Sequence, residues 1–181
     1  MTATASTRTY AIDSTHSSVH FSVRHLMISK VRGTFDKLSG TITLGDAGHT
    51  PTAIDVSIDA SSINTREPQR DGHLRSPDFL DVEKYPSITF KSTSITPKGS
   101  ADFAVTGQLE IHGTAREITF DASVSGAGKD PWGNDRVAFE ATAKINRKDF
   151  GMVWNQALET GGVAVGEELD ITIDVEAIPA A

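Results

Sequence analysis

Six histidines, 24 carboxylates and no cysteine set the chemistry open to this 181-residue chain. Without cysteine there is no thiolate nucleophile, disulfide or thiolate metal site. His16 and His20 have the spacing of a helical zinc pair, but His20 lies in "SVHFSVRH", which alternates apolar and polar residues, and His16 two residues before it. On a strand, residues four apart stand about 13 Å apart at ~3.3 Å per residue, too far to share one ion. His20 and His25 point to opposite faces, so no close histidine–carboxylate cluster and no metal is expected. There is no G-x-S-x-G, and the serines of "DSTHSS" read as turn residues. The glycines of "GAGKDPWGN" lead into a strand, where a phosphate cradle would need a helix. No catalytic residue and no cofactor is assigned.

Polar residues with other uses remain. His25 shares the parity of Val19, Phe21 and Val23 and should face inward, as a satisfied core histidine or a ligand contact. Residues 65–86, "TREPQRDGHLRSPDFLDVEKYP", break the alternation with a cluster of charge. Arg66 and Arg70 are one helical turn apart, with His73, Asp71 and Asp78 close by. This group reads either as an internal ion-pair network or as polar headgroup contacts. Trp154, near Phe150 and Met152, either lines a cavity or fills the core.

The elements that position these residues follow a period of two almost everywhere. Phe21 and Val23, Ile42 and Leu44, Ile54, Val56 and Ile58, and Ile88 and Phe90 each mark one buried face. The same holds for Phe103 and Val105, Leu109 and Ile111, and Ile118 and Phe120. Val137, Phe139, Ala141, Ala143 and Ile145 follow, then Leu169, Ile171 and Ile173. Turn signals such as "GDAGHTP", "TPKGSAD" and "IHGTAR" separate them. Connections this short join antiparallel neighbours, giving a meander that must close into a barrel or fold over as a sandwich.

Large apolar residues mixed with alanine and glycine favour a barrel around a cavity. Its expected lining is Phe21, Val23, Phe35, Ile42, Ile58, Phe90, Phe103, Leu109, Phe120, Phe139, Trp154 and Ile171. Residues 65–86 are then a long excursion from a barrel end. Leu74, Phe79 and Leu80 give it an apolar side, and Ser76 followed by Pro77 reads as a helix start. The expectation is one or two short helical turns over a barrel opening, pinned by Arg–Asp pairs.

With 38% apolar residues, 23% charged residues and a formal charge of −7, the chain has no basic face for nucleic acid. No apolar run is long enough to span a bilayer. "MTATASTRTYAID" has no apolar signal core, so a cytoplasmic location is expected. Residues 1–9 read as a flexible segment and 10–178 as a single domain.

Long motifs carry a resemblance. "YAIDSTHSSVHFSVRHLMISKVRGTFDKLSGTITL" holds Asp13, His16-Ser17, His25, Val31, Gly33 and Phe35, the last three as V-x-G-x-F. "INTREPQRDGHLRSPDFLDVEKYPSITFKS" adds Thr65, Arg70-Asp71, His73-Leu74, Phe79, Tyr85-Pro86 and Phe90. "VTGQLEIHGTAREITF", "KINRKDFGM" and "VGEELDITIDVEA" follow. From Tyr10 to Ala177 the chain resembles the YceI-like family, polyisoprenoid-binding proteins with a lipocalin-like barrel.

The resemblance implies an all-β fold: an extended eight-stranded antiparallel barrel holding a polyprenyl chain or isoprenoid quinone, with no catalysis. Family members are often exported to the periplasm and often pair, which makes a homodimer a further expectation. Each CH₂ buried in such a cavity contributes ~0.8 kcal/mol, enough for micromolar affinity from about a dozen carbons. Two other readings stand beside this one. One is an enzyme for an apolar or amphipathic substrate, using His25 or His73 with the arginines of residues 66–75. The other is a structural or stress-interaction module with a filled core.

Overall fold

Alternation of apolar and polar residues gives every strand one face that must leave water. In the computed structural model, which describes residues 6–45 and 49–181, these faces turn inward around one closed barrel. The strands are β1 (Arg8–Ile12), β2 (Ser18–His25), β3 (Ser29–Phe35), β4 (Leu38–Leu44), β5 (Pro51–Asp59) and β6 (Ile63–Asn64). After a helical excursion come β7 (Ser87–Pro97), β8 (Asp102–Ile111), β9 (Thr114–Lys129), β10 (Asp135–Asn146) and β11 (Val165–Pro179). All pairings are antiparallel.

The eleven strands make eight staves. β1 and β2 form one stave, interrupted at residues 13–17, because both pair with β11. β3 and β4 form the next, and β5 continues through a 3₁₀ turn, Ala60–Ser62, into β6. Side chains stabilise these breaks: Asp13 accepts from the Thr15 backbone N–H at 3.0 Å, and Asp59 from that of Ser61 at 2.9 Å. The ring closes where β11 meets β1, with Tyr10 opposite Pro179.

Two backbone features shape the barrel. Gly33 lies opposite Phe21, and a side chain at Gly33 would overlap the Phe21 ring. The glycine of V-x-G-x-F therefore leaves room for an aromatic ring inside the barrel. At the β2–β3 turn, Leu26 and Met27 have φ of 52° and 64°. Tight hairpins favour such left-handed pairs but normally fill them with Asn-Gly, because a bulky L-residue there costs ~1–2 kcal/mol.

The excursion between β6 and β7 contains α1, Pro68–Arg75. Its start is set by Glu67, whose carboxylate caps the Gln69 and Arg70 N–H groups, and by Pro68 in the first turn. The expected start at Ser76 is corrected: Ser76 is where α1 ends. Leu74, Phe79 and Leu80 border the barrel interior, as the apolar side requires.

The expected Arg–Asp pairs are also corrected, since no arginine of this excursion forms an ion pair among the described residues. Arg75 instead donates to the carbonyls of Ser61 (2.8 Å) and Ile63 (3.0 Å), and Arg70 to Thr65 Oγ1 (2.8 Å) and O (2.9 Å). The buried Asp71 carboxylate accepts from the Thr65 N–H at 2.8 Å and from its hydroxyl. Carbonyls at the strand exit are ready acceptors for guanidinium, and the freed N–H takes the carboxylate.

Arg8 and Thr9 belong to β1 and pair with Leu44 and Thr43, so ordered strand begins within the 1–9 segment. Residues 1–5 of that segment and residues 46–48 of the "GDAGHTP" turn lie outside the described residues. Among the described residues, no helix is long and apolar enough to cross a membrane.

Candidate functional site

The barrel core has two zones. Val105, Val137 and Ala177 pack the end remote from α1, off the cavity, and the almost fully buried Phe103 stands between them and the space above. Above them, inward-facing residues surround a cavity of about 230 Å³ that extends up to Leu74, Phe79 and Leu80 of the cap. Val23, Phe35, Ile58, Phe120 and Ile171 are only half-buried although they border this space. A filled core is therefore not what the chain builds.

Every residue expected to line the cavity does so except Trp154. Its indole lies in the cap, edge-on to the His73 ring at 4.8 Å and tilted on Phe79 at 5.4 Å. The connection after Phe150 has lost strand periodicity, so parity no longer predicts direction there.

The four candidate polar contacts all lie off the wall. His73 is held by Asp78 at 2.8 Å and meets Phe79 and Trp154 edge-on, which makes it a brace of the cap. Arg70 secures Thr65, and Arg66 is exposed with φ of 64°. His25 is half-buried at the last position of β2, opposite Val165.

The charge that does reach the cavity is Arg147, which sequence reasoning missed. It is 3% exposed and opens a 3₁₀ turn, Arg147–Phe150, directly after β10. A signal was present: Arg147 continues the inward parity of Ala141, Ala143 and Ile145. Its guanidinium donates to the carbonyls of Met152 (2.7 Å), Trp154 (2.9 Å), Val165 (3.2 Å) and Gly166 (2.7 Å). Burial lowers its pKa and the charge of Glu167 opposes that shift. An arginine nevertheless stays protonated. No carboxylate lies within 4.0 Å of it among the described residues, so its hydrogen bonds go to main-chain carbonyls and not to an acid.

A second cluster corrects the expectation that no histidine–carboxylate group comes together. Ligand atoms of Asp13, His16 and Glu176 lie within 4.8 Å of one another. The break between β1 and β2 folds Asp13 and His16 onto Glu176 of β11, residues too distant in the chain for spacing to reveal. Arg136 already supplies a cation, donating to Asp13 (2.8 Å), Glu176 (3.1 Å) and Asp130 (3.1 Å). Hydrogen bonds from Thr15, Arg136 and His16 hold the Asp13 carboxyl well below the usual carboxylate range. Burial pushes Asp130 up, but bonds from Asn134, Arg136 and Trp132 outweigh it and bring its pKa to about 2. This network ties three staves together outside the cavity.

Chemically, the wall is a hydrocarbon surface. Glu140, which is exposed, and Arg147 are the charged residues bordering it, and it presents no nucleophile with a base. Such a space can hold an apolar chain and solvate one electron-rich group near Arg147.

Known proteins share the sequence pattern and the fold. A family model described as the YceI-like domain matches residues 10–177. A UPF0312 protein of Vibrio cholerae is 39% identical over 145 residues, 79% of this chain and 77% of the relative. The crystal structure of the Campylobacter jejuni YCEI protein is similar with a TM-score of 0.75 and 31% identity, covering 87% of this chain and 90% of that one. A polyisoprenoid binding domain from Saccharophagus degradans, implicated in plant cell wall breakdown, shares the fold with a TM-score of 0.68. It is 18% identical, over 94% of this chain and 98% of that one.

Proposed function

The chain belongs to the YceI-like family, and we propose that it binds, and so stores or carries, a long isoprenoid lipid in the barrel cavity. The observation that carries this reading is an apolar cavity of about 230 Å³ whose one buried charge, Arg147, stands on its border. A cavity without polar partners is a poor site for water and a good one for hydrocarbon. Each buried CH₂ contributes ~0.8 kcal/mol toward retention, less the cost of ordering the chain.

The isoprenoid class takes its support from the S. degradans domain, described as polyisoprenoid binding. Arg147 favours an electron-rich head, the carbonyl of a quinone or the oxygen of a polyprenyl phosphate, at its end of the cavity. The volume is below the ~300–1,000 Å³ of drug-sized sites, so a long chain enters as half-buried wall residues such as Phe120 and Ile171 change rotamer.

Solvent extraction of the purified protein followed by mass spectrometry tests the proposal, together with uptake of quinone and polyprenol by delipidated protein. Co-purified isoprenoid, or saturable uptake at one chain per barrel, is expected. Failure of both overturns the reading.

A further inference from the structure

The β2–β3 turn spends conformational energy on exposing hydrocarbon. Leu26, Met27 and Ile28 are 38%, 52% and 80% exposed. Leu26 and Met27 are also held in the left-handed region, where Asn-Gly would serve the turn better. Ile28 N–H closes the turn on the His25 carbonyl at 3.2 Å. A local rule broken to leave apolar side chains in water marks a functional site more often than a structural one.

The flanks of this tip are basic. Residues 14–35 contain no aspartate or glutamate, although the chain carries a net charge of −7. Arg24 and Lys30 pair across the hairpin at the second position below the turn, and Arg32 lies one outward position further down, opposite Ser22. All three are exposed. Among the described residues the three make one ion pair, Lys30 with the exposed Asp170 at 3.8 Å, and such a surface pairing contributes little.

The tip stands at the cap end of the cavity. Leu26 N–H bonds to the Ala164 carbonyl, and Met27 packs on Gly162. The same connection, residues 151–164, carries Trp154 on the cap and Val153, 62% exposed.

We propose that this hairpin docks the protein on an anionic lipid bilayer. Leu26, Met27 and Ile28 insert at the acyl boundary, while Arg24, Lys30 and Arg32 meet the headgroup phosphates. Apolar side chains ringed by cations fit that surface, and the acidic remainder of the molecule is repelled from it, which sets the orientation. Docked in this way, the cap of the cavity faces the membrane. The inference deepens the lipid-carrier reading, but the docking itself does not require cargo.

The test is co-flotation of the full-length protein with phosphatidylcholine vesicles, with and without phosphatidylglycerol. Binding is expected to the anionic vesicles alone and to fall with salt. Replacing the tip by Leu26→Asn with Met27→Gly should abolish flotation while raising the thermal midpoint, the opposite of what a structural role predicts. Arg24→Gln, Lys30→Gln and Arg32→Gln should each weaken binding by about fivefold.

Equal binding to neutral vesicles, no flotation at all, or an unchanged Asn-Gly variant overturns the proposal. So does a tip variant that merely converts a dimer to a monomer on gel filtration, since the tip would then serve a second copy of this chain. Uptake of farnesol in vesicle-free buffer, measured on the same samples, reports the carrier reading separately. Flotation without uptake removes cargo binding and leaves docking; uptake without flotation does the reverse.

Discussion

The guanidinium of Arg147 lies 5.9 Å from the centre of the Phe79 ring, so a buried cation faces the aromatic cap across the cavity end. The same guanidinium holds two carbonyls of the connection after Phe150 and the first two carbonyls of β11. One residue thus secures the cap region and charges the cavity.

Arg147→Met keeps the length of the side chain and removes its donors. Carbonyls of Met152, Trp154, Val165 and Gly166 lose their partner, at a cost of about 3 kcal/mol. Thermal denaturation should show a midpoint lower by roughly 10 °C, and amide exchange should rise across residues 151–165. Arg147→Lys should recover about half, since one ammonium cannot span the same fork.

The two core zones should respond differently to truncation. Phe103 is almost fully buried where the packed end meets the cavity, so Phe103→Ala should cost about 4 kcal/mol in chemical denaturation. Phe120 on the cavity wall is only half-buried, and Phe120→Ala should cost about half as much. Equal losses would mean that the cavity is filled in solution.

Ala143 borders the cavity on β10, opposite Ile171 of β11. Ala143→Phe should occupy the space, changing stability by no more than about 1 kcal/mol while reducing quinone uptake about tenfold or more. Undiminished uptake would place the chain elsewhere.

Acid should loosen the network around Arg136. Asp130 has its pKa lowered from 3.8 to about 2 and Asp13 shifts the same way, so the unfolded chain binds protons first as pH falls. The stabilisation from these carboxylates is present above the ordinary value and lost as pH drops from about 4 through about 2. Arg136→Met should flatten the fall of thermal midpoint over that window.

Much of the barrel was legible because a period of two assigns each strand residue a side. Phe21, Phe90, Leu109 and Ile171 face the cavity for that reason alone. Arg147 obeyed the same parity, yet its charge argued for solvent, and only the cluster of free carbonyls around it explains the burial. Trp154 was misplaced because the chain after Phe150 follows no period. The Asp13–His16–Glu176 cluster depends on strand register, which spacing along the chain does not encode. The cap was recognisable as an excursion, but Glu67 and Pro68 outcompeted Ser76 and Pro77 as the helix start.

The seam between β1 and β11 has a kinetic consequence. Most other strand contacts join neighbours in sequence and can form as local hairpins, whereas Tyr10 meets Pro179 only after nearly the whole chain is in place. Closure there carries the largest loop entropy in the molecule and so comes late in folding. Until β11 has paired with the whole β1–β2 stave, the sheet is an open ribbon with two bare edges and a hydrocarbon face in water. In that interval the protein is most vulnerable to aggregation.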